Sequence, residues 1–130
     1  MPRYFTVEEA RATLPLVRAL LLEARAQKRR LDDLRVGLAD TATKTLGNGH
    51  LRDDSMAGNR DEAERLLVAL QATIERIEAM GCLVKDVDSG LADWPSLRDG
   101  REVLLCWRLG EPDILYWHEP EAGFRGRQPL

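Results

Sequence analysis

The apolar positions Leu14, Val17, Leu21, Ala24, Leu31, Leu34 and Leu38 recur at steps of three and four. That spacing predicts one stripe on a long helix running to about Thr45. Thr6-Val7-Glu8-Glu9 has the form of a capping box, which starts the helix at Val7, and its acidic residues suit the positive end of the helix dipole. Pro15 either kinks this helix or opens a second one capped by Thr13. Gly47-Asn48-Gly49-His50 stops the pattern, and the polar stretch through Gly58-Asn59 reads as a mobile loop. A second stripe, Ala63, Leu66, Leu67, Leu70, Ile74 and Ile77, predicts a helix from about Arg60 to Met80, with Gly81 just beyond its end.

After Gly81 the period changes from helical to alternating. Residues 82–87 read as a strand, Asp88-Ser89-Gly90 as a turn, and Leu91 to Trp94 as a short strand ended by Pro95. Asp99-Gly100 marks a further turn. Residues 101–119 then read as an antiparallel hairpin about Gly110-Glu111-Pro112-Asp113. With Glu111 and Pro112 at the tip, Trp107 faces Tyr116 and Leu105 faces His118. Val103, Leu105, Trp107, Leu109, Ile114, Tyr116 and His118 then share the face that covers the helices. Trp117 falls on the opposite face, diagonal to Arg108 and within cation–π reach. A slip of one residue exchanges the faces. Helices followed by strands argue an α+β fold: a long antiparallel helical hairpin packed with a small antiparallel β-sheet in one domain, 1–130. The helical hairpin covers about 7–80, the sheet and tail about 82–130.

Composition narrows the function classes. The chain has 130 residues, 44% hydrophobic and 32% charged, with a net charge of -3. Residues 1–80 carry 13 basic and 13 acidic side chains, whereas residues 81–130 carry 6 and 9, so acidity concentrates in the C-terminal part. This balance argues against nucleic acid as a partner. No apolar run is long enough to span a bilayer, and the N-terminus lacks the build of a signal peptide. Two cysteines, Cys82 and Cys106, suggest reduced intracellular thiols and a cytoplasmic protein.

Several constellations could carry chemistry. His118, with Asp86, Asp93 and Glu102 as partners from elsewhere in the sheet, could hold a divalent metal or act as acid and base; the structural alternative is a histidine satisfied by a hydrogen bond at a core edge. Glu119 cannot join His118 from a regular strand, because consecutive side chains point to opposite faces. Cys82, Cys106 and His118 could supply soft ligands, yet both cysteines sit among apolar neighbours, as inert buried thiols do. Arg101, Arg108 and Arg127, with Arg125, could meet near Trp117 as an anion or carboxylate pocket, or be used up in internal ion pairs. Arg25, Lys28, Arg29 and Arg30 read as a solvated helix face. The calcium-loop spacing from Asp53 to Glu64 lacks an oxygen ligand at Ala57 and reads as chance.

The runs Val84-Lys85-Asp86, Gly90-Leu91, Asp93-Trp94-Pro95, Gly100-Arg101-Glu102-Val103, Cys106-Trp107-Arg108-Leu109-Gly110-Glu111, Trp117-His118 and Gly123-Phe124-Arg125-Gly126-Arg127 together resemble one family. So does the opening Tyr4-Phe5-Thr6 with Glu8-Glu9-Ala10 and Leu14-Pro15. That family comprises uncharacterised conserved bacterial proteins, at times described as distantly related to the C-terminal domain of the chaperone sacsin. The resemblance implies a small cytoplasmic bacterial protein and supplies no catalytic residue to carry over. No nucleophile elbow, phosphate loop or zinc-protease motif is present.

The leading expectation is therefore a non-enzymatic binding or scaffold protein. It self-associates, as a homodimer, through a leucine stripe that the shorter second helix leaves uncovered. The competing expectation is a metal- or anion-binding protein, extending to a hydrolase, built on the charged residues around His118, with a divalent metal as its cofactor. The small-molecule ligand is unassigned in either case.

Overall fold

The protein is described by a computed structural model covering residues 3–44 and 53–130, with side chains for 3–37 and 57–130. Two helices, α1 (Val7–Lys44) and α2 (Asp53–Ala79), precede five strands: β1 (Leu83–Asp86), β2 (Leu91–Arg98), β3 (Arg101–Arg108), β4 (Tyr116–His118) and β5 (Gln128–Pro129). The strands form one antiparallel meander in chain order, so the fold is α+β. The turn expected at Gly47–His50 lies outside the described residues.

The capping box is formed as expected. The Thr6 amide donates to Glu9 Oε1 at 3.0 Å and the Glu9 amide to Thr6 Oγ1 at 3.1 Å. The helix then runs unbroken through Pro15. Thr13 caps nothing; its hydroxyl donates to the Ala10 carbonyl and accepts from Trp94 Nε1, tying α1 to the sheet. Helix α2 begins at Asp53, well before the expected Arg60, and takes Gly58 and Asn59 into its body. Glycine there costs about 1 kcal/mol against alanine, too little to stop a helix of this length. The calcium-like spacing from Asp53 is thus wound into a helix rather than a ligand loop.

Of the predicted α1 stripe, Leu14, Val17, Leu21, Ala24, Leu31 and Leu34 are all buried; the side chain of Leu38 lies outside the description. Ala24 and Leu31 pack against Leu70, Ala63, Leu66 and Ile74 of α2. The excess length of α1 is also covered, but by the sheet: Ala10, Leu14 and Val17 join Trp94, Leu105 and Trp107 in the main core. Among the described residues, the stripe from Leu14 to Leu34 is thus covered within the chain itself.

Pro95 does not end a strand. β2 continues to Arg98, and the Pro95 carbonyl accepts the Phe5 amide at 2.7 Å. β1 pairs only as far along as Asp93, so at Pro95 that edge is free of a strand, and the proline's missing N–H has no ladder partner to disappoint. Beyond it, Asp99 (φ 52°) and Gly100 (φ 77°) close a two-residue hairpin of the type that matches strand twist.

The largest correction concerns register. Leu104 pairs with His118, Leu105 with Trp117 and Cys106 with Tyr116, one residue away from the expected pairing. Residues 109–115 form a longer connection than a two-residue tip, and it closes on its own bonds. Trp107 Nε1 donates to the Glu111 carbonyl, the Arg108 amide to Glu111 Oε1, and Ile114, wholly buried, is drawn into the core. Trp117 consequently joins Val103, Leu105 and Trp107 under the helices, while Tyr116 and His118 turn to the outward face.

Candidate functional site

The outward face of the sheet carries Asp93 of β2, Cys106 of β3 and His118 of β4, brought together by alternation along three adjacent strands. Pro95 and Leu104 flank them on the same face. The three are sealed: Asp93 and His118 are 2% exposed and Cys106 1%. Part of the segment between β4 and β5 lies against this side. There Phe124 lies beneath the guanidinium groups of Arg108 and Arg127, and Arg127 grips both carboxylate oxygens of Glu111 at 2.6 and 2.8 Å. The Leu130 amide closes the segment onto the Leu115 carbonyl.

His118 Nδ1 lies 2.7 Å from the Glu119 carbonyl oxygen, which can only accept, so Nδ1 carries a proton and donates it. Its Nε2 faces Asp93 Oδ2 at 3.0 Å. A neutral imidazole committed at Nδ1 offers a lone pair at Nε2, and an ionised carboxylate also offers only lone pairs. Two buried acceptors at that distance repel unless a cation lies between them, either a shared proton or a metal ion. Asp93 Oδ1, also buried, has no hydrogen-bond partner. The Cys106 sulfur, a carboxylate oxygen of Asp93 and a ring nitrogen of His118 all lie within 4.8 Å of one another, the one such group of three among the described residues. Burial, then the Asp93 charge, pushes the Cys106 thiol up to about 12.

The other candidates lie apart. Cys82 is buried in the core beneath the helices, and burial foremost pushes its thiol up as well. Asp86 is exposed at the β1–β2 turn, where it accepts from Ser89, and Glu102 is exposed near the far end of β3. Arg101 and Arg108 stand at opposite ends of β3, roughly 23 Å apart at strand spacing. Arg101 pairs with Glu119 at 3.0 Å, and Arg127 pairs with Glu111 while stacking on Tyr116. Trp117 is in the core with Arg98, not Arg108, over its ring at 4.6 Å. Arg108 and Arg127 thus meet over the Phe124 ring, while Arg101 at the other end of β3 and Trp117 in the core stand away from them. The sequence offered Asp93 as one of three possible carboxylate partners of His118, and Cys106 with Cys82 as soft ligands; what joins Asp93, Cys106 and His118 is register parity, for which no motif speaks.

A family model described as "Uncharacterized conserved protein (DUF2203)" matches residues 3–130. The chain belongs to this family. The matched region takes in both helices, all five strands and the Asp93–Cys106–His118 group. No curated protein and no solved structure matches the chain. For this DUF2203 protein the functional reading therefore rests on its own geometry. No helix among the described residues is long and apolar enough to cross a membrane.

Proposed function

We propose that the protein is a small non-enzymatic binding module whose working centre holds a divalent cation between Asp93 and His118. The observation that carries this is the pair of buried acceptors facing each other at 3.0 Å, with the histidine's other nitrogen already committed to a carbonyl. Metal-ligating histidines are held in this way, their second N–H fixed by a backbone oxygen. A catalytic role is disfavoured because Asp93, Cys106 and His118 are all almost wholly buried, leaving a substrate little approach. Two free cysteines fit a reducing cytoplasm.

Thermal unfolding of metal-free protein tests the reading. A ligand at a hundred times its dissociation constant stabilises by about 2.7 kcal/mol, which for a domain of this size is roughly 10 °C. Zinc should raise the melting temperature of the wild type by that order and leave Asp93→Asn unmoved. Equal melting curves with and without zinc would mean that the pair holds only a proton.

A second reading, self-association as a homodimer, draws on apolar side chains left outside the core. Leu22 (45% exposed) and Val36 (66%) fall two heptads apart on the outward side of α1, and Val68 (66%) lies outward on α2.

A further inference from the structure

We infer that Cys106 is the third ligand of this centre, which makes it a site for a soft divalent transition ion, zinc foremost. The inference rests on the reading that Asp93 and His118 hold a metal, and it names which class. Magnesium and calcium ask for six or more oxygen ligands; a thiolate, an imidazole and a carboxylate suit zinc or cobalt. Cys106 is placed for this role by its strand. It sits directly opposite Asp93 in the β2–β3 ladder and diagonal to His118 across β4, on the same sealed face. Asp93 Oδ1 is buried without a hydrogen bond of regular geometry, although the Cys106 thiol lies close enough to interact with this carboxylate. Ligand atoms around tetrahedral zinc stand about 3–4 Å apart given bonds of about 2.0–2.3 Å. The present spread, up to 4.8 Å, closes with side-chain movement of about an ångström.

Charge balance supports the assignment. Without metal, a neutral thiol and a carboxylate–imidazole pair sharing one proton sum to zero. A divalent ion displaces the thiol proton and the shared proton, both to solvent, and leaves a thiolate, a carboxylate and a neutral imidazole around a doubly positive ion. The sum is again zero, so a buried region exchanges two protons for one ion without acquiring net charge. Three protein ligands leave a fourth position for water. Cys82 is excluded because it belongs to the core on the helix side of the sheet.

Cobalt titration of the metal-free full-length protein tests this. One equivalent should bind with a near-ultraviolet thiolate-to-cobalt charge-transfer band and release about two protons into a weakly buffered solution. Cys106→Ser should lose the band and weaken zinc binding at least tenfold, while Cys82→Ala keeps both. The wild-type band is informative even if Cys106→Ser folds poorly. Cobalt bound without that band would overturn the thiolate ligand and leave the Asp93–His118 cation site standing. No uptake of cobalt or zinc by the wild type would overturn both.

Discussion

Asp86 shows how one hydroxyl sets a carboxylate's behaviour. Its Oδ2 accepts the Ser89 hydroxyl at 2.5 Å and the Ser89 amide at 3.2 Å, and the hydroxyl foremost holds the Asp86 carboxyl below its ordinary range. A carboxyl lowered by folding adds stability that is fully present above the unfolded value and is lost as pH falls through the folded one. NMR titration should therefore place the Asp86 midpoint below that of an unstructured aspartate, and Ser89→Ala should move it up. An unmoved midpoint would show that the hydroxyl is not the cause. The next residue, Gly90, is equally local in its logic: its φ is +69°, and a Cβ there would run into the side chain of Leu109.

At the level of elements, the C-terminal segment is held chiefly by Arg127, which clamps Glu111, stacks on Tyr116 and Phe124, and reaches the Cys106 carbonyl. Arg127→Ala should raise amide exchange across residues 119–130 at least tenfold while that of Leu14 to Leu34 stays unchanged. Equal exchange in both proteins would show that β5 alone secures the segment. Local signals made much of the architecture legible. Thr6 and Glu9 cap each other, the leucines from Leu14 to Leu34 sit three and four apart, and Asp99-Gly100 supplies two positive φ angles. What the sequence hid depends on partners distant along the chain. Pro95 stays inside a strand because Phe5 comes to that edge, and the β3–β4 register depends on how residues 109–115 close. A single residue of register decides whether His118 lies beneath the helices or beside Asp93 and Cys106.

The whole molecule is two layers, with a helical pair on one face of the sheet and the polar centre on the other. Among the described residues the sheet covers the length of α1 that α2 does not. The dimer reading is therefore tested at the outward residues Leu22 and Val36. Light scattering at micromolar concentration should give twice the monomer mass for the wild type and the monomer mass for Leu22→Glu with Val36→Glu; a monomeric wild type would remove that reading. The most direct measurement for the account as a whole is the elemental content of protein purified without chelators or a metal-binding tag. The Asp93–His118 reading expects close to one zinc or similar ion per chain, lost in Asp93→Asn. A metal-free chain that stays metal-free after incubation with zinc would contradict it.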